Sequence, residues 1–101
     1  MHTRGFETSA KLTDHFDRHH SLLGIGSEAE YLTRADEFLG AARPPDVLEC
    51  VKRDGDILRF RISTQEYGVL RPDRIIRTYH IRNGAGNPKR NKAWFLGKCG
   101  K

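Results

Sequence analysis

A chain of 101 residues has room for one hydrophobic core, and 37% hydrophobic with 31% charged residues fits a small solvated domain, not a disordered polyelectrolyte. No apolar run approaches the roughly 20 residues of a membrane span, and the N-terminus lacks the apolar stretch of a signal peptide, so export is expected to depend on something outside this chain. The net charge of +5 is segregated: residues 1–51 carry 5 Lys/Arg against 9 Asp/Glu (−4), and residues 52–101 carry 13 against 4 (+9). Such a basic second half favours a polyanion as partner, nucleic acid first, over solubility or docking on an acidic protein.

In chain order, the spacing of Leu12, Phe16 and Leu23 predicts a helix over 9–23 whose core stripe spans about 40° of the wheel. Gly24 is suited to end it in the left-handed conformation. A second helix begins at "SEAE", where Ser27 and Glu30 form a capping box; its buried face is Tyr31, Leu32, Ala35, Phe38 and Leu39, and Pro44 and Pro45 stop it. Beyond the prolines come β-prone runs at 47–53, 56–62, 66–70 and 74–82. Asp54-Gly55 makes a tight hairpin of the first two. In the second run Leu58, Phe60 and Ile62 form a packing face and Ile57, Arg59 and Arg61 a charged one. The tail 83–101 reads as linker, with "AWFL" (93–96) as a final strand or anchor. Its "GAGNPK" lacks the spacing of a phosphate-binding loop. Cys50 and Cys99 read as free thiols, because two cysteines so placed are no disulfide framework. The expected fold is α+β: one domain over 1–101, a helical part (1–45) packed on a four- to five-stranded antiparallel sheet with its basic tail (46–101).

The chemistry centres on "LTDHFDRHHSLLGIG". His15 and His19 at i and i+4 have the reach of zinc ligands, but no HExxH arrangement and no evident third ligand accompany them, so no metal or cofactor is expected. Packing is the plainer reading, since His19 falls with the apolar stripe and His15 and His20 border it. Catalysis is the third. Imidazole exchanges a proton near neutral pH, as attack on an RNA phosphate by its own 2′-hydroxyl requires. Cations and hydroxyls must accompany it, and residues 77–80 supply Arg77, Thr78, Tyr79 and His80. Alternation puts Arg77 and Tyr79 on one face and Thr78 and His80 on the other.

The succession of "HFDRHHSLLGIG", "SEAEYLTRADEFL", "DGDILRFRISTQEYGVL" and "IIRTYHI" resembles the C-terminal ribonuclease domains of bacterial polymorphic and contact-dependent toxins, in the fold group of barnase and the tRNA-cleaving colicins. Its pattern is most similar to the colicin D type of tRNase domain, where a helical histidine precedes a glycine by five residues, as His19 precedes Gly24. The resemblance covers roughly residues 10–82. It implies a metal-independent endoribonuclease toxin that makes a 2′,3′-cyclic phosphate, usually on tRNA, and is held by a cognate immunity protein. It further implies action in the bacterial cytoplasm after delivery as the C-terminal part of a secreted or cell-surface toxin. His19 would take the acid/base role with His15 beside it, and Arg77, Thr78 and Tyr79 would bind and orient the phosphate. The RNA contacts expected are Arg18, Thr64, Arg59, Arg61, His80, Arg82, Lys89 and Arg90, in a monomer. The lysines that surround the helical histidine in colicin D are replaced by His15 and Arg18, which bears on the RNA chosen. The rival readings are a non-catalytic RNA-binding or toxin-associated interaction module and a small metal-binding domain.

Overall fold

The two N-terminal helices form where their caps direct. Helix α1 (Ser9–Leu23) starts at Thr8, whose side chain accepts from the Lys11 amide, and ends at Gly24, which adopts the left-handed conformation (φ 70°). Helix α2 (Glu28–Gly40) is capped by the Ser27 side chain on the Glu30 amide. It stops before Pro44, as Ala41 turns extended. The computed structural model describes residues 1–82 and 86–100. Tyr31, Ala35, Phe38 and Leu39 are buried as the stripe predicts, and Asp36 joins them. Its carboxylate accepts from the His2 and Thr3 amides and from the Thr3 hydroxyl, which ties the N-terminus to α2.

Strands β1 (Val47–Val51), β2 (Ile57–Arg61), β3 (Glu66–Leu70) and β4 (Ile76–Ile81) form an antiparallel meander in the order β1-β2-β3-β4. Alternation divides the side chains between two faces. Val47, Leu70, Ile76 and Tyr79 pack with Leu23, Ile25, Tyr31, Phe38 and Leu39. At Gly68 the leucine comes so close that a Cβ would lie 2.9 Å from Leu39. Leu58, Phe60, Tyr67 and Val69 form a second core on the other face.

That second core is covered by a third helix, α3 (Pro88–Lys98), where the sequence predicts a linker with "AWFL" (93–96) as a final strand or anchor; the run does anchor the segment on the sheet, in helical and not extended form. Asn87 caps it by accepting from the Arg90 amide, and Pro88 occupies its first turn, where no amide is missed. Asn91, Phe95 and Cys99 recur at helical spacing and face the sheet. Phe95 is buried on Phe60, and Asn91 Nδ2 lies 3.0 Å from Gln65 Oε1, Arg82 O and Gly86 O. Cys99 closes a disulfide with Cys50 of β1, so the two are not free thiols. Among the described residues the α+β fold thus has an antiparallel sheet of four strands, between two helices and one. Part of the expected linker, residues 83–85, lies outside the described residues. Among the described residues no helix is long and apolar enough to cross a membrane.

Candidate active site

Helix α1 runs against the outer edge of the sheet, and its histidines meet that edge. Residues at i and i+4 share a helix face, so His15 and His19 lie in sequence with ring centroids 5.9 Å apart. His19 stacks on His80 of β4 at 4.8 Å and 22°. The row continues at both ends: Phe6 lies 5.1 Å from His15, and Tyr67, the cross-strand partner of His80, presents its ring at 5.5 Å and 64°. Thr78 belongs to the same face of β4, with Oγ1 3.2 Å from His80 Nδ1. His19, His15, Thr78 and His80 are therefore brought together.

All three imidazoles are held toward the neutral form. Burial lowers the pKa of His15, and Arg18 lowers it further. His19 is lowered by burial, then by Arg18 and by His15. The most enclosed, His80, falls to about 4 through burial, with His19 and Arg82 adding to the effect. A neutral imidazole is ready to accept a proton, and crowding lets one ring at a time hold a positive charge easily. A phosphate docked beside the cluster would favour the charged form, so the same rings can furnish a base and an acid. His15 Nδ1 is buried without a partner. His20 stacks instead on Phe16 at 4.7 Å. No group of three or more His, Cys, Asp or Glu among the described residues is arranged to hold a metal ion.

Arg77 and Tyr79 occupy other places. Leu70 pairs with Ile76 and Val69 with Thr78, so Arg77 is the extra residue of a bulge. The bulge breaks strict alternation, and both Ile76 and Tyr79 face the helices. Arg77 binds Asp56 through Nε at 2.7 Å and lines a pocket of about 360 Å³ with Phe6, Lys11, His15 and Arg71. It therefore adjoins the histidine row at the His15 end. Tyr79 is fully buried and its hydroxyl donates to Glu66. Burial and the Glu66 carboxylate raise its pKa far above the ordinary phenol value, so it stays protonated in the core. Its position is structural and does not adjoin the histidines.

Of the expected RNA contacts, Arg59 and Arg61 face α2. Arg59 donates to the carbonyls of Phe38 (3.1 Å) and Ala41 (2.8 Å) and pairs with Glu49 at 2.6 Å, closing the helix end. Arg61 lies over the Phe38 ring and pairs with Glu66. Thr64 donates to Glu66 as well. None of these three reaches the histidine row. Arg18 is exposed on α1 with Asp14 at 2.7 Å, and Lys89 and Arg90 are exposed in the first turn of α3. Arg82 lies over the Trp94 ring, 3.9 Å from its centroid. Tyr67 and Trp94 were not singled out in the sequence; cross-strand pairing of Tyr67 with His80 and the third helix bring them in. No protein-family model matches this chain, and no curated protein matches its sequence.

Proposed function

We propose that the protein is a metal-independent endoribonuclease that cleaves RNA by attack of the 2′-hydroxyl on the adjacent phosphate. The observation that supports this best is the pairing of His19 from α1 with His80 from β4, two neutral imidazoles in ring contact beside the Thr78 hydroxyl and flanked by Arg18 and Arg82. In this reading His19, the less enclosed ring, takes the 2′-proton. His80, charged once a phosphate docks, protonates the leaving 5′-oxygen, and Thr78 orients it. Positive charge beside the rings stabilises the pentacoordinate phosphorane. The product is a 2′,3′-cyclic phosphate, with no water consumed in the first step.

The resemblance to toxin ribonucleases extends the proposal to tRNA as substrate, a cognate immunity protein as partner, and action in a bacterial cytoplasm after delivery on a larger toxin. The test of the reaction class is RNA cleavage in EDTA followed by identification of the termini. Cyclic phosphate ends that form without added metal support it. A strict divalent-ion requirement overturns it, and tight RNA binding without cleavage leaves the RNA-binding module in its place.

A further inference from the structure

The arginine that the sequence points to as phosphate ligand, Arg77, is paired with Asp56. Arg59, Arg61, Arg71 and Arg18 likewise each have a carboxylate within 4 Å. Arg82 differs. Among the described residues no carboxylate pairs with it, and its Nε, like that of Arg61, is buried without an acceptor. What holds it is an aromatic face: its Cζ stands 3.9 Å from the centroid of Trp94, which in turn packs edge-on to Tyr67 at 4.8 Å. Tyr67 contacts His80, so cation, indole, phenol and imidazole form one continuous group. Stacking fixes the plane of a guanidinium and leaves its in-plane N–H groups free. That is the presentation a phosphate takes in two parallel hydrogen bonds.

We propose that Arg82 is the phosphate-binding cation of this site and that Trp94, on α3, is its positioning residue. The inference rests on the reading of the protein as an RNA-cleaving enzyme, and it makes the C-terminal helix part of the substrate site. The ligand is the phosphodiester of single-stranded RNA next to His80. Charge neutralisation of Arg82 by that phosphate removes one of the influences that keep His80 neutral, which couples docking to loading of the acid.

The test uses the full chain and a 2′-O-methyl oligoribonucleotide, which cannot be cleaved because its 2′-oxygen carries no proton. Binding is read by anisotropy of the labelled oligonucleotide at several salt concentrations, and in the parent also by the emission of Trp94, the one tryptophan. Arg82→Gln is expected to weaken binding about 10-fold and to reduce the slope of log K against log salt by about 0.7, one phosphate contact on a single strand. Trp94→Phe, which keeps a ring under the guanidinium, is expected to bind within about threefold of the parent, and Trp94→Leu to fall with Arg82→Gln. Parental affinity and slope in folded Arg82→Gln overturn the proposal, and Trp94→Leu binding like Trp94→Phe overturns the positioning role. If Trp94→Leu does not fold, Arg82→Gln still decides the phosphate site, and Trp94→Met, which also removes the ring, takes the place of Trp94→Leu in the comparison. Because the probe is uncleavable, loss of binding in Arg82→Gln supports the phosphate site even if the parent proves unable to cut RNA, whereas His19-dependent cleavage with an unaffected Arg82→Gln removes only this inference.

Discussion

His80 owes its proposed role to its surroundings. In the sequence it stands beside Thr78 and Tyr79 on a β-prone run, and period-two alternation puts it opposite Tyr79, as observed. That it meets His19 depends on α1 lying along the β4 edge, a tertiary fact no local pattern encodes. The bulge at Arg77 was equally illegible, because it arises from how β4 fits β3 and not from a glycine or proline in the run. The pKa of His80, depressed to about 4, has a thermodynamic consequence. The unfolded chain binds a proton near pH 6.5 where the folded chain does not, so stability is fully present above that pH and declines as pH falls from about 6.5 to about 4. His15 and His19, lowered in the same direction, add to the decline. Melting temperature against pH is expected to drop over that window in the parent and less steeply in His80→Phe; an unchanged profile in the variant would show that the ring is solvated.

At the scale of elements, α1, α2 and the meander were readable because caps, stripes and turn residues all agree. Ser27, Gly24 and Asp54-Gly55 lie where their chemistry is needed. Helix α3 is hidden in the sequence for a physical reason. Its sheet-facing positions are Asn91, Phe95 and Cys99, of which one is a strong apolar signal, while the run Ala93 to Leu96 mimics a strand. The Asn87-Pro88 start was the cue available. Asn91 replaces a core residue by satisfying buried acceptors, so Asn91→Ala is expected to cost about 1–3 kcal/mol in denaturant unfolding. A loss below about 0.5 kcal/mol would mean that water replaces the amide readily. The disulfide between Cys50 and Cys99, closing a separation of 49 residues, staples this helix to β1. Its removal in the double variant Cys50→Ser/Cys99→Ser is expected to lower stability by about 2–4 kcal/mol. Hydrogen exchange should show the loss concentrated in α3; a uniform change across the sheet would contradict the staple.

Over the whole molecule, the segregation of charge legible in the sequence is only partly available to a ligand. Of the basic second half, Arg59, Arg61, Arg71 and Arg77 are paired with carboxylates and Lys52, Arg53 and Arg74 lie exposed in the turns between strands, which leaves Arg82 and the exposed cations of α3 beside the proposed RNA site. Net charge read from the sequence therefore overstates the number of cations open to a ligand. RNA binding is expected to weaken as salt rises from about 50 to 200 mM with a slope set by a few phosphates, well short of the thirteen cations counted in sequence. A slope near zero would assign the basic surface to another purpose. Whether two histidines from opposite ends of the chain move protons for RNA cleavage is decided by single-turnover cleavage of RNA in EDTA by the parent, His19→Ala and His80→Ala, each verified as folded. Cyclic phosphate ends are expected from the parent and a fall of at least about 100-fold in either variant, with affinity for an uncleavable RNA nearly unchanged. A folded His19→Ala or His80→Ala protein that cuts at the parental rate would contradict that proton-transfer role.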